Sequence, residues 1–148
     1  MMVRIGIALL GVLGRLPLPV LRALGAFIGR ALFVLAAGRR KVALRNLELC
    51  FPDMPSAQRK ALARESFEVF CQTFLDRGWL WAGSEALVRS RVKLTGALHE
   101  LEGDTPTIVF APHFYSMDAG GLALPLNTQR EFTSIFATHP DPVQDAWF

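Results

Sequence analysis

Residues 107–124 read TIVFAPHFYSMDAGGLAL, and the expected fold turns on this stretch. Thr107-Ile108-Val109-Phe110-Ala111 is a continuous β-rich apolar run of the kind that buried strands use. Pro112 stops it, because proline cannot donate to a β-ladder. Asp118-Ala119-Gly120-Gly121-Leu122-Ala123-Leu124 then reads as a helix start, ending near Pro125. Residues 132–136 form the next strand-like run, and Val92-Lys93-Leu94-Thr95 is an earlier short one closed by Gly96. Between them, residues 99–104 are polar and predict a short helix and a turn. Strand, helix and strand in that order predict an α/β fold with a mostly parallel central sheet.

In an α/β sheet, ligands collect at the carboxyl ends of strands. His113 falls at such an end, and Asp118 follows five residues later. On one continuous helix that spacing would separate the pair by about 140°. A strand end followed by a helix start supplies the turn that lets them face each other. Imidazole is suited to accept a hydroxyl proton near neutral pH. A carboxylate on its second nitrogen fixes the tautomer and stabilises the imidazolium. There is no GxSxG nucleophile motif, so the attacking group is expected to be a substrate hydroxyl rather than Ser116. The Gly120-Gly121 pair would admit close approach of a backbone or substrate. Spacing alone equally suits a histidine that caps a helix or sits satisfied in the core. His99 lies in an acidic stretch and His139 in a proline-rich turn. His113, Asp118 and His139 match no standard zinc spacing, and no metal ligand is assigned.

Residues 3–38 are mostly Ile, Leu, Val, Ala, Phe and Gly, interrupted by Arg15, Arg22, Arg30 and two prolines. Pro17 and Pro19 predict a break into helices 3–15 and 19–37. Arg22 and Arg30 would lie about 80° apart on the second. Each helix then carries one basic stripe on an apolar cylinder, suited to lying among headgroups with arginines reaching phosphates. A tilted span with snorkelling arginines satisfies the same pattern. Gly25 and Gly29 form a small-xxx-small face for helix packing. The following Arg39-Arg40-Lys41 cluster argues against a cleaved leader and predicts a cytoplasmic side.

Phe51-Pro52-Asp53-Met54-Pro55 is a turn, and Ser56 is the expected N-cap of a helix to about Leu80. Leu62, Val69, Phe70, Phe74 and Trp81 would be its core face. Trp79-Leu80-Trp81 could instead form an interfacial aromatic cluster. Cys50 and Cys71 have neither CxxC spacing nor a histidine cluster, and read as buried reduced thiols.

Bulk composition agrees with this picture. The 148 residues are 51% hydrophobic and 20% charged, with a mean hydropathy of +0.30. That excludes a disordered chain. The net charge of +3 hides an asymmetry: residues 1–47 hold eight of the 16 basic residues and none of the 13 acids. A basic, apolar N-terminus points to an anionic lipid surface. Its cations alternate with aliphatic rather than aromatic residues, which argues against nucleic acid. Residues 1–38 are therefore expected to anchor the chain and 39–148 to form the catalytic domain.

The segment RRKVALRNLELCFP (39–52), the Arg77-Gly78-Trp79 region, TIVFAP and HFYSMDAGG occur in this order along nearly the whole chain. The ordered set resembles the lauroyl/myristoyl acyltransferases of lipid A biosynthesis, within the lysophospholipid acyltransferase superfamily. Its H-x4-D motif maps onto His113 and Asp118 as the catalytic pair. The resemblance implies acyl carrier protein as thioester donor and a hydroxyl of a lipid A precursor as acceptor. His113 would be the general base, oriented by Asp118. It also implies no cofactor, because the thioester brings its own activation, and a bacterial inner-membrane site with the catalytic side facing the cytoplasm. Other acceptors in this class are membrane glycolipids and aminolipids. Family members are longer. The chain is therefore expected to hold the N-terminal portion of the acyltransferase domain, truncated before the later substrate-binding blocks, and an inactive membrane-bound fragment is the remaining alternative.

Overall fold

The computed structural model describes residues 2–103, 105–135 and 140. Its elements are α1 (Met2–Leu13), α2 (Leu18–Leu35), α3 (Ala37–Cys50), α4 (Ser56–Ala82), α5 (Glu85–Arg91), a 3-10 turn (Leu98–Leu101) and α6 (Met117–Asn127). They form two compact units. One comprises Leu16–Asp76; the other joins Met1–Arg15 to the residues from Arg77 onward.

In the Leu16–Asp76 unit, the two prolines start α2. Pro17 is its N-cap and Pro19 lies in its first turn, where a missing N–H costs no helical hydrogen bond. The Pro17 carbonyl accepts from Val20 and Leu21 at 3.0 and 3.1 Å. Leu21, Gly25, Gly29 and Phe33 are buried at a strict four-residue spacing. They face a second four-residue seam on α4 that includes the buried Ala63, Cys71 and Leu75. The glycines make this contact possible. A Cβ on Gly25 would lie 2.7 Å from the Gln72 Cα, and one on Gly29 would lie 2.6 Å from the Phe67 carbonyl oxygen. The Phe33 and Phe67 rings close the far end edge to face, 5.5 Å between centroids.

The same antiparallel seam carries two ion pairs. Arg22 Nη2 donates to Asp76 Oδ2 at 2.6 Å. Arg30 donates from Nε and Nη2 to the two Glu68 carboxylate oxygens at 3.0 and 3.2 Å. Gln72 Nε2 donates to the Arg22 carbonyl at 3.1 Å. The arginines expected to reach lipid phosphates are thus turned to acids of the same unit. The α4 core face also differs from the expected one. Leu62, Phe70 and Phe74 are exposed, and the next residue after each of the first two, Ala63 and Cys71, is buried.

The Phe51–Pro55 turn forms as expected, with the Met54 N–H bonded to the Phe51 carbonyl at 3.2 Å. Arg59 Nη1 holds it by donating to the carbonyls of Phe51, Pro52 and Met54. The cap of α4 is Pro55, one residue before Ser56, because the Pro55 carbonyl accepts from Gln58 and Arg59 at 2.9 and 3.0 Å.

In the other unit, α1 meets the end of α4 through backbone. A Cβ on Gly78 would strike the Leu10 carbonyl, and one on Gly14 would strike the Gly78 carbonyl. Trp79 and Leu80 are buried, and Arg91 lies 5.0 Å over the Trp79 ring, so two members of the aromatic cluster serve the interior. Ser84 caps α5 by accepting the Leu87 N–H. Val88 of α5 and Ala123 of α6 are buried.

The expected central sheet is not present among the described residues. Among the described residues every regular element is helical. Residues 107–111 lie outside any element, with Ile108 and Phe110 exposed at 97% and 88%. Residues 92–95 and 132–135 are likewise irregular, and Phe136 lies outside the described residues. A β-rich run becomes a strand only by pairing its N–H and C=O groups with a neighbour. None of the described segments offers 107–111 that neighbour, so its β propensity has nothing to act on.

Two predictions follow from the packing. Gly29→Ala should destabilise by about 1–3 kcal/mol through overpacking. Gly6→Ala, with open space around it, should stabilise α1 by roughly 0.5–1 kcal/mol. Opposite shifts in thermal midpoint confirm the seam; shifts of the same sign would refute it. Second, Cys71 is buried and Cys50 is exposed, and both thiols are free. Burial pushes the Cys71 thiol above its ordinary range. A thiol reagent at mildly alkaline pH should therefore label Cys50 quickly in the folded protein and Cys71 only after unfolding.

Candidate active site

The segment from Pro112 to Asp118 is a chain of tight turns. The Pro112 carbonyl accepts the Phe114 N–H at 2.8 Å, closing a three-residue turn centred on His113. The Phe114 carbonyl accepts the Met117 N–H at 3.3 Å. Ser116, the N-cap of α6, has φ 63° and ψ 23°. It is the one non-glycine residue with positive φ among the described residues. Such a conformation costs on the order of 1 kcal/mol for an L-residue. Its hydroxyl makes no capping bond. Its carbonyl instead starts the helix, accepting from Ala119 and Gly120 at 2.9 and 3.3 Å.

Asp118 lies in the first turn of α6, where the free N–H groups of the helix interact favourably with a carboxylate. Its Oδ2 accepts from Arg77 Nε at 2.8 Å, with both side chains about one-third exposed. The Arg77 guanidinium also lies 5.1 Å from the centroid of the Trp81 ring. Arg77 is therefore held by a carboxylate and an aromatic face together.

The structure brings Asp118 to Arg77 and leaves His113 exposed in its turn. No hydrogen bond joins His113 to Asp118 among the described residues. His99 is exposed and 3.5 Å from Glu100; His139 lies outside the described residues. No group of three or more His, Cys, Asp or Glu gathers around a potential metal position among the described residues. Gly120 and Gly121 face open space rather than a backbone. Beside them an apolar groove of about 310 Å³ runs along α6, lined among others by Leu80, Val88, Leu122, Pro125 and Leu126. Phe110, Phe114, Tyr115 and Met117 are exposed around the His113 turn.

The role of Arg77 was not legible as a partner of Asp118, because the two are 41 residues apart. In the sequence it stood out only as part of the Arg77-Gly78-Trp79 region, with Asp76 beside it as an equally available partner.

The whole chain, residues 1–148, matches the family described as bacterial lipid A biosynthesis acyltransferase. A lipid A biosynthesis acyltransferase of Haemophilus influenzae is 31% identical over 115 residues, covering 76% of this chain and 37% of the relative. The lipid A biosynthesis lauroyltransferase of Escherichia coli is 25% identical over 144 residues, covering 95% and 46%. The myristoyltransferase of Escherichia coli is 28% identical over 130 residues, covering 86% and 39%. The chain thus spans less than half the length of these curated relatives. No solved structure gives a significant match.

The Ser116 conformation gives a direct test of the turn. Ser116→Gly should raise stability by about 1 kcal/mol, since glycine adopts positive φ without strain. Ser116→Val should lower it. Thermal midpoints that are equal for all three proteins would show that the left-handed turn is not populated in solution.

Proposed function

The chain belongs to the bacterial lipid A biosynthesis acyltransferase family, and from that premise we propose that it carries the acid–base part of an acyl-transfer centre. The donor is an acyl thioester on acyl carrier protein, and the acceptor is a hydroxyl of a lipid A precursor. His113 takes the hydroxyl proton as the oxygen attacks the thioester carbonyl. The C–S bond then breaks, and the imidazolium returns its proton to the departing thiolate. The ester and the free thiol account for every atom and electron.

One observation carries this reading: the H-x4-D pair sits at a preformed turn into α6, with its carboxylate tethered from α4. A carboxylate has about four lone-pair sites, so a bond to Arg77 leaves capacity for the imidazole N–H. Arg77 then acts as a positioning residue that fixes the plane of the carboxylate. Exposure of His113 leaves it reachable by a large lipid hydroxyl and by a carrier protein. The apolar side chains around the turn suit an acyl-bearing substrate.

The same reading places the protein at the bacterial inner membrane with its catalytic side toward the cytoplasm. α2 is long and apolar enough, by length and composition, to cross a bilayer; packed along α4 as it is, its outward side, with Phe27, Val34 and Leu35 exposed, suits lying against the bilayer surface. The basic residues Arg39, Arg40 and Lys41 follow directly after it and suit the cytoplasmic face.

The test is acyl transfer from acyl carrier protein to a lipid A precursor by the membrane-bound protein. His113→Ala should lower turnover by roughly 10²- to 10⁴-fold, the usual contribution of a positioned base. Asp118→Asn should lower it less. Full turnover by His113→Ala would remove His113 from the mechanism.

A further inference from the structure

A second cationic feature lies in the Leu16–Asp76 unit, away from the H-x4-D segment in sequence. A groove of about 940 Å³ opens between α3 and the first turn of α4. Arg40, Lys41, Arg45, Arg59 and Lys60 line it, against the single acid Glu48. Three of these cations are already engaged. Arg59 holds the turn carbonyls. Arg45 bonds Glu48 at 2.6 Å, and that bond lowers the Glu48 carboxyl below the usual carboxylate range. Arg40 Nη1 donates to the carbonyls of Phe33 and Val34 at 2.6 and 2.8 Å. Lys41 and Lys60 are exposed and make no ion pair or hydrogen bond among the described residues. The groove therefore concentrates positive charge that the unit itself does not answer. Ser56 and Ala57 also line it, so the unbonded N–H groups at the start of α4 add to the same field.

The position of the groove selects its occupant. Arg40 bonds the last carbonyls of the apolar α2, and Ala37, just past the end of that helix, is part of the groove wall. Val34 and Leu35, in the final turn of α2, are exposed at 68% and 78%. An apolar helix end that passes directly into a cationic cup has the layout of the boundary between acyl chains and headgroups. We propose that this groove seats the phosphate of an anionic bilayer phospholipid, with Lys41 and Lys60 as its contacts. The proposal rests on the membrane reading of α2 and is independent of the roles of His113 and Asp118.

The experiment is vesicle flotation of the whole protein at low ionic strength. One vesicle set is phosphatidylcholine alone, and the other is phosphatidylcholine mixed with phosphatidylglycerol. The protein should bind both and prefer the anionic set. Lys41→Gln with Lys60→Gln should reduce that preference by roughly five-fold per lysine, leaving binding to phosphatidylcholine unchanged. Lys93→Gln, outside the groove, should leave the preference within about two-fold of the parent, since a generic charge acts only through a screened field. Equal effects from Lys93 and the groove lysines overturn the site. A phosphatidylglycerol preference left intact by the double lysine variant overturns the lipid assignment. Failure of the parent protein to bind either vesicle overturns the membrane reading itself, and the site with it.

Discussion

A carboxylate taken out of water must be answered by a cation, and the α2–α4 seam is organised around one such answer. Asp76 is 2% exposed and meets Arg22 at 2.6 Å. Desolvation offsets much of the attraction in a pair of this kind, so its net contribution to stability is small. Its effect is on register. Arg22 and Arg30 are eight residues apart on α2, and their partners Asp76 and Glu68 are eight apart on α4. Between them, Gly25 and Gly29 bring the two backbones to a separation no side chain would permit. Sliding one helix by a residue would break both pairs and set a side chain against backbone. Close packing supplies the attraction, and the ions select the one alignment that permits it.

Much of this helical part is readable locally. The prolines of α2, the Phe51–Pro55 turn and the Gly25/Gly29 spacing each act through their own backbone. The buried face of α4 is not readable this way. Leu62 and Phe70 repeat at helical spacing, and so do Ala63 and Cys71 one residue along. Periodicity cannot choose between two apolar stripes. Contact with α2 chooses the smaller one, since close backbone approach leaves no room for Phe70. The destinations of Arg22 and Arg30 were hidden for a related reason. Their acids lie 54 and 38 residues away, so within its own segment each arginine looks like a lipid-facing cation.

The strand expectation erred in the opposite direction, by treating a cooperative property as a local one. Val, Ile, Thr and Phe in residues 107–111 favour a pleated conformation only when another strand completes the ladder. A helix satisfies its hydrogen bonds within one segment, so α6 forms at its expected place without a sheet. The H-x4-D spacing was visible at once, and so was the need for a turn between its members. The turn that forms uses Ser116 in a left-handed conformation rather than a strand end.

That substitution changes what positions the carboxylate. With no strand to fix His113, orientation of the pair depends on what holds Asp118. Asp118 is held by the first turn of α6 and by Arg77. Arg77 is itself set against Trp81, four residues further along α4. An arginine planar between a ring face and a carboxylate has few remaining rotamers, and it transfers that restriction to its partner. The strained Ser116 persists because α6 and the Arg77 bond constrain the chain immediately after it. Asp118 is thus the ordered member of the pair and His113 the accessible one. Under the function proposed above, that access lets His113 reach a lipid hydroxyl, and the held carboxylate offers it a partner in a fixed place.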